Sequence, residues 1–80
     1  MAQSFPNVDY YELAKFLNDH NIHFFRQAKG SHEVWKDAGT GKKTTVVNHG
    51  KEIYKRKTLK RTLEAVALDF RDIIEWRKKR

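Results

Sequence analysis

The sequence predicts an α+β fold: a helix, three antiparallel strands, then one or two further helices, with the helices packed on one face of the sheet. Three observations carry this. Apolar residues recur at intervals of three and four near both ends of the chain, the spacing of amphipathic helices. Between those stretches the chain is rich in β-branched and aromatic residues and alternates with a period of two. Gly30-Ser31 and Ala38-Gly39-Thr40-Gly41 divide that middle region into strand-length pieces. With 80 residues the chain fits a single domain, 1–80. A three-stranded antiparallel sheet covered on one side is the simplest way to bury both helical stripes.

Each element has its own signal. Val8, Leu13, Phe16 and Leu17 recur at helical spacing, and Tyr10 or Tyr11 widens the stripe, so residues 8–17 are predicted helical. Asn7 is the expected N-cap, with Asp9 and Glu12 near the positive end of the helix dipole. Asn18-Asp19-His20-Asn21 ends this helix, and Asn21 can take the left-handed conformation that closes a helix where glycine is absent. Residues 22–27 form the first strand and residues 32–37 the second, with Val34 and Trp35 on opposite faces. Residues 43–48, with Thr44, Thr45, Val46 and Val47, form the third. The last two strands make a hairpin centred near Thr40, which sets His32 opposite Asn48 and His49 one step away.

After Gly50 the period is helical again: Leu59, Leu63, Val66, Phe70 and Ile73 or Ile74. One helix from about Lys57 to Lys78 would satisfy it. Two helices meeting near Ala67-Leu68 are favoured, because Asp69-Phe70-Arg71-Asp72 reads as a capping box with Asp in place of the usual Glu. The closing run Arg77-Lys78-Lys79-Arg80 is expected to fray.

Composition narrows the function. Lys and Arg number 17 against 10 Asp and Glu, for a formal net charge of +7. That excess favours a polyanionic partner, since each neutralised phosphate releases counterions. Cysteine is absent, which removes disulfides and thiolate metal sites. No stretch approaches the roughly 18 apolar residues of a membrane-spanning helix. Met1-Ala2-Gln3-Ser4-Phe5-Pro6 has no basic region followed by an apolar run, so no export signal is expected and the cytoplasm is the expected compartment.

The element order resembles the double-stranded RNA-binding domain fold. Within it, Arg26-Gln27-Ala28-Lys29-Gly30-Ser31-His32 leads into the second strand. Val46-Val47-Asn48-His49 and Thr58-Leu59-Lys60-Arg61-Thr62-Leu63 follow downstream. Together these segments resemble the HicA family of toxins from bacterial and archaeal toxin–antitoxin pairs, over the chain from the first helix through Ile74. The family has a Gly-Ser-His turn between its first two strands and a Thr-Leu-rich helix after its third. This chain departs from the pattern in three places. Asn48 and Gly50 stand where the family often has proline, Arg56-Lys57 precedes Thr58 where it favours glycine, and Ala67 replaces the glycine that separates its last two helices. The last departure weighs toward a continuous helix.

The resemblance implies a metal-independent endoribonuclease that cleaves single-stranded mRNA with His32 as catalytic residue and thereby inhibits translation. It also implies a HicB-type antitoxin partner and no cofactor. Read from spacing alone, His32 is more simply a surface histidine at a strand start. Histidine suits either proton-transfer role in RNA cleavage because it titrates near neutral pH. Gly30 lets backbone approach a phosphate, and Ser31 can donate to a phosphate oxygen. Lys29 is a candidate stabiliser of a pentavalent phosphate or an ordinary solvated lysine. His49 is a second acid–base candidate or a locally bonded loop residue. His20 and His23 carry no assigned role, and no set of metal ligands with suitable spacing is evident.

Lys42, Lys43, Lys55, Arg56, Lys57 and Lys60, in clusters that include Lys51 and Arg61, are the expected RNA-backbone contacts, or else a solvated charged face. Trp35 can stack a base if it faces outward, or else belongs to the core, and Trp76 is expected to pack. The alternative function is a non-catalytic binding module of the double-stranded RNA-binding type, which has no need of Gly30-Ser31-His32. For a DNA-binding or structural protein the sequence offers only charge.

Overall fold

The computed structural model describes residues 5–80. Met1, Ala2, Gln3 and Ser4, on which much of the expectation about an export signal rests, lie outside the described residues. The elements run α1 (Tyr10–Asp19), β1 (Ile22–Gln27), β2 (His32–Asp37), β3 (Lys43–Val47), α2 (Arg56–Glu64) and α3 (Phe70–Lys79). The strands form one antiparallel sheet in the order β1-β2-β3. This is the α+β architecture and the two-helix ending that the sequence predicts. Among the described residues no helix is long and apolar enough to cross a membrane.

The helical stripes meet the sheet as their spacing requires. Leu13, Phe16 and Leu17 of α1, Leu59 and Leu63 of α2, and Ile73 of α3 are fully buried, with Ile22 and Val46 from the sheet. Strand alternation sends Glu33 and Trp35 of β2, and Thr44 and Val46 of β3, into this core. The residues between them face away from it. Trp35 is therefore a core residue, and the reading that it stacks a nucleobase is overturned. Its indole N–H donates to Glu33 at 2.9 Å inside the core. Trp76 packs edge-on against Phe16, with ring centroids 5.5 Å apart, and donates to the Asp19 carboxylate at 2.7 Å.

β3 is an edge strand whose carbonyls are closed off by hydroxyls. Thr62 of α2 donates to the Thr45 carbonyl at 3.0 Å, and Tyr54 donates to that of Val47. In return Thr44 donates to the Thr62 carbonyl at 2.7 Å, so α2 is bonded along this edge in both directions. Burial raises the Tyr54 phenol well above its ordinary pKa, which keeps it a donor.

Three expectations are corrected. Asp9, not Asn7, caps α1: the helix begins at Tyr10, and the Asp9 carboxylate accepts from the Glu12 N–H at 2.9 Å. Val8 is buried, and its carbonyl is occupied by the Tyr54 N–H at 3.0 Å. Second, His32 pairs with Val47 rather than Asn48. The Asp37 carboxylate accepts from the N–H groups of Gly39 (2.8 Å) and Thr40 (3.3 Å), and this Asx-type turn moves the hairpin register by one residue. Third, the basic tail is helical and bonded to α1. α3 extends to Lys79, and Arg77 grips both oxygens of Glu12 at 2.8 and 2.7 Å. That bidentate contact holds the Glu12 carboxyl below its ordinary pKa.

The break between α2 and α3 uses an uncommon residue. The Leu68 N–H bonds to the Leu63 carbonyl at 2.9 Å, and the Ala67 N–H to that of Glu64 at 3.1 Å, a Schellman closure. Ala67 then takes the left-handed position, φ 61°, where glycine is usual. Asp69 and Asp72 cap α3 reciprocally at 2.9 and 3.2 Å, as the sequence predicts. A left-handed L-residue costs about 1–2 kcal/mol, of which the larger unfolded-state entropy of glycine offsets about 0.4–1 kcal/mol. Ala67→Gly is therefore expected to stabilise the protein, raising the midpoint of thermal unfolding by roughly 3–6 °C. An unchanged or lower midpoint would show that no strain resides there.

Candidate functional site

The β1–β2 connection is a tight turn that sets the position of His32. The Ala28 N–H bonds to the His32 carbonyl at 2.9 Å, and the His32 N–H to that of Lys29 at 3.1 Å. Gly30 sits at φ 61°, and a Cβ added there would meet nothing within 4 Å. Glycine is thus selected by backbone conformation, and the outer side of the turn is open. The Gln27 side-chain amide donates to the carbonyls of Gly30 (3.1 Å) and His32 (2.9 Å), pinning the turn from β1.

The His32 imidazole is exposed, with Nδ1 3.2 Å from the Lys29 carbonyl. A carbonyl only accepts, so this contact assigns the proton to Nδ1. In the neutral ring the lone pair is then on Nε2. Beneath β2, Glu33 accepts at one oxygen from Tyr10 and from Trp35, both at 2.9 Å. This buried network fixes the strand that carries His32. Burial, and then the hydrogen bond to Glu33, push the Tyr10 pKa up to about 12, so the phenol remains a donor.

His32 lies in an open groove of about 520 Å³ between the outward face of the sheet and α2. Strand alternation brings His32 and Val34 from β2, and Thr45 and Val47 from β3, to the same side. Thr58, Arg61 and Thr62 form one stripe of α2 and, with Ala65 at its C-terminal end, make the opposing wall, while Leu59 and Leu63 turn to the core. Lys43 and Arg61 supply two cations, and among the described residues no carboxylate lines the groove. An imidazole, two cations and threonine hydroxyls in one groove suit a phosphodiester chain: an acid–base group in a channel that carries positive charge.

The other predicted residues are dispersed. Gly30 and Ser31 stay on the exposed turn, where the Ser31 carbonyl accepts from the Asn48 N–H at 2.9 Å. Lys29 contributes its carbonyl to orient His32, and its side chain does not line the groove. His49 is outside the groove too, tilted against the Tyr54 ring at 5.9 Å with Nδ1 3.8 Å from Glu52. Lys42 lies on the β2–β3 turn near Asp37, whose carboxyl is held below its ordinary pKa mainly by the Gly39 N–H, with the Lys42 charge adding.

Lys55, Arg56 and Lys57 surround the start of α2, and the Arg56 guanidinium lies over Phe70 at 5.5 Å. Lys60 points toward Glu64 at 4.0 Å, away from the groove. Its neighbour Arg61, together with Thr58 and Thr62, enters the groove instead. Counting three and four from Thr58 would have found this stripe. His20 and His23 are bonded around the end of α1, to the Phe16 carbonyl and to Asn18 and Asn21.

The family model for the HicA toxin of bacterial toxin–antitoxin pairs matches residues 10–68. Comparisons with curated proteins and with solved structures returned no match. The matched span starts with α1 and ends between α2 and α3, and it contains the whole groove, from His32 to Ala65. The chain belongs to the HicA toxin family.

Proposed function

We propose that this toxin is an endoribonuclease that cuts single-stranded mRNA without a metal, with His32 as the catalytic residue. The observation that carries the reading is the His32 imidazole, with its lone pair on Nε2, in a groove that also holds Lys43 and Arg61. An RNA phosphate enters the groove at His32. The ribose 2′-oxygen bonds to phosphorus as its proton passes to His32 Nε2. The P–O5′ bond then breaks, and O5′ takes a proton from His32 or from water in the open groove. Lys43 and Arg61 hold the RNA backbone along the groove. Basic residues outside the groove, Lys42 and Lys55–Lys57 among them, extend the positive surface for the RNA strand. A HicB-type antitoxin that covers His32 would silence the toxin, and the cytoplasm is where it would meet mRNA.

The test is to incubate the 80-residue protein with an end-labelled single-stranded transcript in EDTA. Discrete shorter fragments are expected, with binding that weakens steeply as salt rises. A transcript that is retained but uncut would instead identify a non-catalytic binding module.

A further inference from the structure

Beyond the groove, the outward face of the sheet carries an aromatic ring that the cleavage chemistry does not use. β1 pairs with β2 as Phe24↔Trp35 and then Arg26↔Val34, so a bulge inserts Phe25 between them. A bulge re-aims side chains, and here consecutive residues Phe25 and Arg26 both serve the face that bears His32. Phe25 is 46% exposed. The ammonium groups of Lys36 and Lys43 stand 5.1 and 4.9 Å from its ring centroid.

These two lysines are direct cross-strand partners. Like charges placed directly opposite destabilise a sheet, and the Phe25 ring offsets the repulsion only in part. An anion bound between the two ammonium groups would relieve that repulsion. Lys43 also lines the groove of His32, so the ring and the groove are continuous. His32 and Lys36 lie four residues apart on β2, about 13 Å at the usual rise, a distance within reach of a short stretch of one strand.

We propose that Phe25, flanked by Lys36 and Lys43, is a nucleobase-stacking subsite that holds an unpaired base of the RNA near the phosphate at His32. This rests on the ribonuclease reading above. The ring and the two ammonium groups over it match a nucleotide in both its parts: the base stacks on the ring in place of the ammonium groups, which turn to the adjoining phosphates. It selects single-stranded RNA, because a base within a duplex does not present its face. Phe25 is a positioning residue, since it holds the strand and touches no reacting atom.

The experiment uses the full chain carrying His32→Ala, which keeps the RNA intact, and a single-stranded oligonucleotide containing 2-aminopurine. With Phe25 present, or with Phe25→Tyr, binding is expected to quench the fluorescence. Phe25→Leu is expected to lose the quench and weaken binding by roughly 5- to 150-fold, the range for one base on one aromatic side chain. The dependence of its affinity on salt should stay unchanged, because no phosphate contact is removed. Lys36→Gln should lower that salt slope by about one. Unchanged thermal unfolding of Phe25→Leu assigns the loss to the surface rather than to folding. If Phe25→Leu binds and quenches as Phe25 does while the unsubstituted chain cleaves RNA, the subsite is overturned and the ribonuclease reading stands. If the chain with Phe25 intact binds no single-stranded RNA, the ribonuclease reading fails and the subsite with it. If Phe25→Leu leaves RNA affinity unchanged but weakens association with the antitoxin, the face belongs to a protein partner and the subsite is overturned.

Discussion

His32→Ala is expected to lower RNA cleavage by roughly 10²- to 10⁴-fold, the range for loss of a general acid or base, and to relieve growth inhibition on expression. The fold should survive. The imidazole is exposed, its protein contact is the 3.2 Å approach to the Lys29 carbonyl, and the bonds that shape the turn come from backbone and from Gln27. Truncating such a surface side chain changes stability by about 0.5 kcal/mol or less. Activity and folding are thus separable at this position. Thermal unfolding of the variant should match that of the unsubstituted chain, while gel analysis of a labelled transcript shows it uncut. Cleavage at the unsubstituted rate would remove His32 from the mechanism.

Trp35→Ala should have the opposite profile, with stability lost first. Trp35 is 3% exposed, near the centre of the middle strand, and its indole N–H donates, as the Tyr10 hydroxyl does, to the buried Glu33 carboxylate. Removing a large core aromatic costs about 3–5 kcal/mol. The loss of a donor to a buried carboxylate adds to that. A chain of this length has only about 4–12 kcal/mol in total. Denaturant titration should therefore show the variant largely or wholly unfolded near physiological temperature. A variant that unfolds like the parent yet binds RNA weakly would return Trp35 to the RNA-binding surface.

The contrast between these two residues shows what can be read from a sequence. Local signals were legible. The helical stripes, the alternation that separates Val34 from Trp35, the left-handed Asn21 and the Asp69–Asp72 cap each depend on neighbours a few residues away. So was the turn at Gly30, which family resemblance joined to His32. Features that depend on distant parts of the chain were not. Arg77 looks like part of a solvated basic tail until α3 lies against α1, where its partner Glu12 is 65 residues away in sequence. The groove needs a stripe of α2 to meet the face of β3, so Arg61 could be seen as one charge in a cluster but not as lining the same groove as His32. The register of β3 turned on how the Asp37 carboxylate folds the turn, a matter of two hydrogen bonds. Ala67 was misleading in the other direction, since its side chain weighs toward a continuous helix and the capping box at Asp69 overcomes it.

The hydroxyls of Thr62 and Tyr54 on the carbonyls of Thr45 and Val47 reach beyond the single molecule. An edge strand is a template on which another chain can add by backbone pairing, and fibres grow when both edges of a sheet are available. Here two of the carbonyls that a new strand would use on the β3 side already accept from the protein's own hydroxyls. A strand adding on that side must first displace them, so growth through both edges carries a cost that the β1 side does not impose. The bonds that anchor α2 thus also oppose polymerisation of a compact, highly charged toxin.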